Sequence, residues 1–224
     1  THFIIGLPES GAPERDPAAL EAGIAALVRT WGDELRAALA ETRDGPEARI
    51  LAARYGEAFS AAYRESFAPR VAIADITTLE RLSPERPRAA DIGRRATDPD
   101  SQIRLKVFSR GASLSLSERV PVLENLGFRF INERTYRILP PGADEAARVW
   151  LHDMLLERAT GAAIDLGRLE TLLEEALLAL GTGLAESDGY NRLVLEAGLG
   201  WRDVALIRAL GRYLRQLRIR YGQD

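Results

Sequence analysis

The chain contains no cysteine, a single lysine (Lys106) and two histidines (His2 and His152) among its 224 residues. Without cysteine it can form neither a disulfide nor a thiolate metal site, and it has no thiol nucleophile. Imine chemistry would have to use Lys106, which lies in an alternating, strand-like run. The two histidines are far apart and lack the spacing of paired metal ligands. We therefore expect no catalytic residue, no metal ligand and no bound cofactor in this chain.

Long hydrophobic runs are also missing. No apolar stretch approaches the roughly 20 residues that a membrane-spanning helix needs, and residues 1–8 lack the pattern of a signal peptide. The formal net charge of −3 and the isoelectric point of about 5.6 give no global attraction for polyanions. With 46% hydrophobic residues the chain can still bury a core. These features predict a cytoplasmic protein without nucleic-acid or membrane partners.

Apolar residues at helical spacing predict a helical segment over residues 17–82. Asp16-Pro17 begins a first helix that continues to Leu39, and Gly45-Pro46 begins a second that runs to Phe67. Pro69 begins a third, although the β-branched residues of 71–78 also fit a strand. Residues 83–100 contain three prolines and almost no large apolar side chain, so they are interpreted as a linker.

From Ile103 the hydrophobic period changes to two, which predicts a strand. A turn at Arg110-Gly111 leads to a short helix capped by Ser117, and Phe128 to Leu139 alternates again. After the reversal at residues 140–142 a third strand is predicted near residues 147–156, followed by a long helix capped by Asp165. The order β-α-β-β-α predicts an α+β module at residues 101–183, with a further helical segment at residues 184–224.

The beginning of the chain resembles its middle. His2 to Ile5, a glycine-containing loop and Asp16 correspond to His152 to Leu155, a second such loop and Asp165, with offsets that agree within one residue. Residues 1–16 are therefore interpreted as the tail of a preceding unit of the same kind, whose beginning would lie outside this sequence. Chance is the alternative, because such strand-loop-helix joints are common.

Glycine-rich motifs do not point to nucleotide binding. Gly181-Thr182-Gly183 ends a helix and Gly198-Leu199-Gly200 lies between helices, whereas a dinucleotide fingerprint begins a helix after a strand. Gly127 to Ile131 is superficially similar to an RNA-binding strand but follows the first helix directly, so a half-buried strand is favoured. His152 and Asp153 are adjacent and should face opposite sides of a strand, which favours a structural histidine.

Two features remain candidates for binding. Gly111, between the first strand of the α+β module and its helix, would let backbone amides approach a ligand carboxylate. The candidate regulatory loop is Arg110, Gly111, Ala112, Ser113 and Leu114, with an ordinary turn as the alternative. A stripe of arginines on the last helix fits a phosphate or membrane contact, a solvated face or an internal docking surface. Its members are Arg208, Arg212, Arg215 and Arg218.

Several stretches resemble the ACT-like segment of the large bacterial NAD-dependent glutamate dehydrogenases, and together they cover nearly the whole chain. They are Ile103 to Phe108, Leu116 to Arg129, Glu133 to Tyr136, Val149 to Met154, and the flanking stretches Trp31 to Leu35, Tyr63 to Ile76, Leu199 to Val204 and Tyr213 to Gln216. The resemblance implies an ACT-like (ferredoxin-like) module flanked by helices, from the non-catalytic N-terminal half of such an enzyme.

Enzymes of this family convert glutamate to 2-oxoglutarate and ammonia with NAD, and they are homo-oligomers whose catalysis lies in a separate C-terminal part. The resemblance therefore implies a regulatory or assembly piece that binds no NAD itself. Its expected partners are the remainder of the same polypeptide, other subunits and a small amino-acid effector. The alternative is a purely structural interaction domain without a ligand.

Overall fold

The computed structural model describes residue 21 and residues 29–217. Its helices are α1 (Trp31–Thr42), α2 (Gly45–Tyr55), α3 (Ala61–Ser66), α4 (Pro69–Leu79), α5 (Leu116–Asn125), α6 (Leu166–Gly181), α7 (Arg192–Ala197) and α8 (Trp201–Gln216). Its strands are β1 (Arg88–Gly93), β2 (Gln102–Arg110), β3 (Phe128–Ile138) and β4 (Val149–Arg158). The interpretation of residues 1–16 as the tail of a preceding unit lies outside the described residues. In the part that is described, no helix is both long enough and apolar enough to cross a membrane.

Helix α1 begins at Trp31 because Thr30 forms a capping box with Asp33. The Asp33 amide donates to the Thr30 hydroxyl at 3.2 Å, and the Thr30 amide donates to the Asp33 carboxylate at 3.1 Å. Thr30 itself has extended backbone angles. The single helix predicted from Asp16 to Leu39 therefore does not continue through Thr30, because a local start signal lies within a stretch of apolar periodicity. Apart from residue 21, the part of that prediction before residue 29 lies outside the described residues.

The second predicted helix is also divided, because the segment after α2 pairs with the end of β3. Phe59 forms a β-bridge with Ile138, and the Ser60 amide donates to the carbonyl of Arg137 at 3.2 Å. This tertiary pairing overrides a helical pattern that continues through Phe59 and Tyr63. The third predicted helix is confirmed as α4, whose buried Ala72, Asp75, Ile76 and Leu79 follow helical spacing.

All four strands form one antiparallel sheet in the order β1-β2-β4-β3. The prediction that residues 83–100 are a linker is wrong, because Arg88–Gly93 pairs along β2 from Ser109 to Arg104. Only Ile92 of β1 is a large apolar residue, and it is 3% exposed. An edge strand with one buried anchor leaves almost no hydrophobic periodicity in the sequence. The α+β module therefore begins at residue 88 and not at residue 101.

The predicted β-α-β-β-α order is present from β2 to α6 and is preceded by one additional strand. In a ferredoxin-like β-α-β-β-α-β arrangement the last strand follows the second helix. Here the strand beside β2 is β1, which comes first in the chain. The sheet is thus a permuted version of that layout, and its α+β class is the predicted one.

Helices cover both faces of the sheet. One face is covered by the helices that precede the sheet in the chain, α1 to α4, and is called the N-terminal face. Phe108, Tyr136 and Leu151 pack against these helices. The opposite face is called the C-terminal face. There Leu105, Met154 and Leu156 pack against α5, α6, α7 and α8. Each large side chain buried in this way stabilises the fold by about 1.5–3 kcal/mol. Helix α6 starts after Asp165 and buries Leu169 and Leu173, as predicted.

The arginine stripe of α8 is partly an internal docking surface. Arg208 is 4% exposed, and its guanidinium donates to Asp188 at 2.7 and 3.0 Å and to the Glu186 carbonyl at 3.1 Å. Arg212 pairs with the Glu186 carboxylate. Arg215 is exposed, and Arg218 lies outside the described residues. These contacts fix α8 against the segment that precedes α7.

Candidate regulatory site

The predicted regulatory loop connects β2 to α5. Gly111 has a φ of 82°, in the left-handed region that favours glycine, and its amide donates to the Arg148 carbonyl at 2.7 Å. The Ala112 amide donates to the Arg110 carbonyl at 3.2 Å, and the Ser109 hydroxyl donates to the Ala112 carbonyl at 2.8 Å. The loop is thus shaped by hydrogen bonds of its own, which already engage two of its amides.

The far end of the loop reaches the buried ring of His152 on β4. The Leu114 amide donates to His152 Nε2 at 3.3 Å, and the Ser113 hydroxyl lies 3.5 Å from the same nitrogen. On the other side of the ring, Nδ1 lies 2.7 Å from Glu133 Oε1 and 3.2 Å from the Thr135 hydroxyl. An amide can only donate, so Nε2 is the acceptor and we assign the proton to Nδ1, which donates to Glu133.

Arg119 of α5 joins this histidine to the loop. Its guanidinium donates to Glu133 Oε1 at 2.9 Å, to the Leu114 carbonyl at 3.0 Å and to the Ser115 carbonyl at 3.3 Å. The side chains of Arg119 and Glu133 are 12% and 11% exposed, so the ion pair is largely withdrawn from water. One connected network therefore links β3, β4, α5 and the candidate loop.

Burial and the network set the ionisation of both groups. Burial lowers the pKa of His152, and the charge of Arg119 acts in the same direction, against the hydrogen bond to Glu133. Burial alone would raise the pKa of the Glu133 carboxyl, but the hydrogen bonds from Arg119 and His152 hold it below its ordinary value. At neutral pH the site therefore contains a neutral imidazole and an ionised carboxylate.

Stability should decrease on acidification below the ordinary histidine pKa of 6.5. Because folding lowers the pKa of His152, the unfolded chain takes up a proton on this residue that the folded chain does not bind, and the free energy of unfolding falls. Glu133 adds a further loss once the pH falls below 4.5, since its ionised form is the one that folding stabilises. Thermal unfolding from about pH 8 to about pH 5 measures the effect. We expect His152→Gln to flatten the slope near pH 6, and an unchanged slope in that variant would refute the assignment.

A cavity of about 370 Å³ lies between α5, α6 and the C-terminal face of the sheet. Its walls are mainly apolar, with Leu114 and Arg119 on the loop side and Arg88 beside Gly181 on the other. Arg88 donates to the Gly181 carbonyl. The apolar lining residues are Ala90, Leu105, Val107, Val122, Leu123, Met154, Leu177, Leu178 and Leu180. Glu118 lines it as well, so the cavity suits a small ligand with an apolar body and charged groups of both signs.

Of the five predicted loop residues, only Leu114 lines this cavity. Ser113 contacts His152, whereas Arg110, Gly111 and Ala112 shape the turn. The sequence reasoning missed Arg119, Glu133 and Arg88. Glu133 lies directly opposite Met154 on the neighbouring strand, and this register, which the sequence alone does not provide, is what brings it to the histidine.

The structure also shows the positions of the His152-Asp153 pair and of Phe128, which the sequence analysis considered as possible functional residues. His152 faces the C-terminal side of the sheet and Asp153 the N-terminal side, so they form no common site, as predicted. Phe128 is 2% exposed within the core and presents no face for a base to stack on. Among the described residues, no group of three or more histidine, cysteine, aspartate or glutamate residues is arranged to hold a metal ion.

A four-stranded antiparallel sheet with helices packed on it has the α+β layout of an ACT-like module. A family model described as "Glutamate dehydrogenase, ACT3 domain" matches residues 88–169, beginning at the first residue of β1. Models of the same family, described as helical motif 2 and helical motif 3, match residues 38–82 and 185–224.

The relatives are proteins named NAD-specific glutamate dehydrogenase. The chain is 36% identical over 222 residues, 99% of its length, to that of Halomonas elongata, and 35% identical over 217 residues, 97% of its length, to that of Pseudomonas aeruginosa. It is 28% identical over 240 residues, covering 100% of its length, to that of Mycobacterium tuberculosis. The chain therefore belongs to the family of NAD-specific glutamate dehydrogenases. It spans 13–14% of the length of these relatives.

Proposed function

We propose that this chain is a regulatory and assembly segment from the N-terminal, non-catalytic part of a cytoplasmic NAD-specific glutamate dehydrogenase. The observation that carries the proposal is the match along the chain to an ACT domain and two helical motifs of this family. The parent protein would use NAD and glutamate, as the names of the relatives indicate. The segment would act on the rest of the polypeptide and on other subunits of a homo-oligomer.

The regulatory part of the proposal concerns the loop at residues 110–114 and the adjoining cavity. An amino acid with an apolar side chain would place that side chain between α5 and α6, with its carboxylate toward Arg119 or Arg88. The network of Arg119, Glu133 and His152 would transmit its presence, since it connects the cavity wall to two strands and to the loop.

Thermal unfolding of the chain in the presence of single amino acids, 2-oxoglutarate and NAD tests this proposal. A ligand that binds the folded form must raise the unfolding temperature. We expect a rise with one amino acid that disappears in Gly111→Val, because a branched side chain strains the left-handed turn. Ser113→Ala, which leaves the backbone unstrained, should reduce the ligand-induced rise without lowering the unfolding temperature of the free chain.

The alternative function is a purely structural interaction domain. It is favoured by an exposed apolar stripe along α8 and its C-cap. The stripe consists of Leu206, Leu210, Tyr213 and Leu217, which are 60%, 52%, 57% and 51% exposed. Residues spaced by four and three positions form one face of a helix, and such a face suits contact with another part of the polypeptide. Unfolding temperatures that no amino acid changes would favour this alternative and reject the sensor.

A further inference from the structure

A row of alternating charges crosses the N-terminal face of the sheet. Asp91 on β1 is opposite Lys106 on β2, Lys106 is opposite Asp153 on β4, and Asp153 is opposite Arg134 on β3. Side chains directly opposite each other on antiparallel strands have Cβ atoms about 4.5–5.5 Å apart, so these groups are neighbours. The row lies beneath α3 and α4, on the opposite side of the sheet from the candidate regulatory site.

Lys106, the single lysine, directs its ammonium group away from this row toward α4. Its Nζ donates to both carboxylate oxygens of Asp75, at 2.7 and 2.8 Å, and Tyr63 donates to the same carboxylate. Asp75 is 1% exposed. The hydrogen bonds of the lysine are thus given to a third carboxylate, and its two neighbours in the row receive only its longer-range attraction.

Asp153 is the unusual member of the row. It is 7% exposed, and its Oδ1 is buried without a hydrogen-bond partner among the described residues. Burial raises the pKa of this carboxyl, although Lys106, Arg104 and Arg95 oppose the shift, and burial also raises the pKa of Asp91. A buried carboxylate that lacks a partner destabilises the folded state, so its presence requires an explanation.

A pocket of about 340 Å³ opens directly above these carboxylates. Asp91 and Asp153 form part of its polar wall, and Phe67 and Val71 close it from the side of α3 and α4. Three arginines surround it. Arg104 pairs with Asp98, and Arg94 donates to the carbonyls of Gln102, Asp100 and Ile164, whereas Arg95 is exposed at the mouth.

We propose that this pocket binds a small zwitterion, whose ammonium group lies above Asp153 and Asp91 and whose carboxylate meets Arg95 at the mouth. The ammonium group would supply the donors that the buried Asp153 carboxylate lacks. The inner wall contributes negative charge and the rim positive charge, so a ligand with one charge of each sign complements both. This site is separate from the candidate regulatory loop and goes beyond the proposed function.

Neither a metal ion nor a simple anion fits as well. The described residues include no metal-ligand cluster, and the positively charged residue Lys106 stands between Asp91 and Asp153 in the row. A simple anion inside the pocket would approach Asp91 and Asp153, whose negative charges repel it. A zwitterion avoids both difficulties.

Calorimetric titration of the chain tests the proposal with a homologous series of glycine, β-alanine and γ-aminobutyrate, which share end groups and differ in spacing. Butylamine and butyrate carry one charged group each and serve as ligand controls. We expect at least one zwitterion to bind at concentrations up to roughly 10 mM, and both controls to bind at least about tenfold more weakly.

Four variants locate the site. Asp153→Asn, which is nearly isosteric, should weaken zwitterion binding at least about tenfold, and Arg95→Gln should weaken it as well. Glu157→Gln, on the same strand but outside the pocket lining, should bind as the unaltered chain does. Gly111→Val should retain zwitterion binding, which separates this site from the regulatory loop. A raised unfolding temperature of ligand-free Asp153→Asn would show that this variant folds and that the unpaired charge is destabilising.

The proposal is overturned if no member of the series binds, as expected if a buried water molecule satisfies Asp153 and the Tyr136 hydroxyl, which also lacks a partner. It is equally overturned if butyrate or butylamine binds as tightly as the zwitterion. Binding that is unchanged in Asp153→Asn would place the ligand elsewhere on the chain and would also reject the site.

Discussion

Replacing Leu123 by aspartate should unfold the ACT-like module. Leu123 is 2% exposed on α5 and belongs to the core between the helices and the C-terminal face of the sheet. The substitution removes the burial of a leucine and introduces a carboxylate without a partner, so the free energy of unfolding should fall by at least about 4 kcal/mol. That loss is comparable to the whole stability of many domains.

Leu116→Asp is the matched control, because Leu116 begins the same helix and is 47% exposed. An aspartate there lies in the first turn, where a negative charge is favourable, and should leave the unfolding temperature nearly unchanged. Circular dichroism and urea titration measure both variants. A cooperative transition of Leu123→Asp at the unaltered midpoint would contradict the core assignment of α5.

Removing Asp75 should have the next largest effect. Asp75→Ala leaves the Lys106 ammonium, 13% exposed, and the Tyr63 hydroxyl without their buried acceptor. Breaking one side of a buried ion pair costs about 3–5 kcal/mol, because the remaining charge is uncompensated. Urea unfolding of the variant measures the loss directly.

A double substitution separates the ion pair from simple packing. If the loss comes from the uncompensated ammonium, Lys106→Met should restore much of the stability of Asp75→Ala, although the Tyr63 hydroxyl stays without its acceptor. The double variant should then lose at least about 1 kcal/mol less stability than the sum of the two single losses. Losses that simply add would show that Asp75 and Lys106 contribute independently.

The sequence predicted elements whose pattern depends on local burial. The alternation of Ile103, Leu105 and Val107 identified β2, and the leucines after Asp165 identified α6, because each element packs a regular face against the core. Strand β1 was not predicted, because Ile92 is its single large apolar residue and one such residue creates no alternating pattern. The end of helix α2 at Tyr55 was not predicted either, because residue 59 pairs with β3, which is distant in sequence, and this pairing overrides the local helical periodicity.

The candidate site was predictable only in part, for a related reason. A glycine between a strand and a helix marks a possible ligand loop, and Gly111 indeed adopts the left-handed conformation that such a turn requires. The partners of His152 come from β3, α5 and the loop. Their assembly depends on strand register and on the docking of α5, neither of which the spacing of residues along the chain specifies.

The early position of β1 also affects how the module can form during synthesis. In the unpermuted order the edge strand would emerge last and would have to find a partner made much earlier. Here β1 pairs with β2, the next strand along the chain, so closing that part of the sheet requires only a short loop. Lower contact order favours faster folding. The whole sheet can therefore be complete once β4 has left the ribosome, before the helices that follow it have emerged.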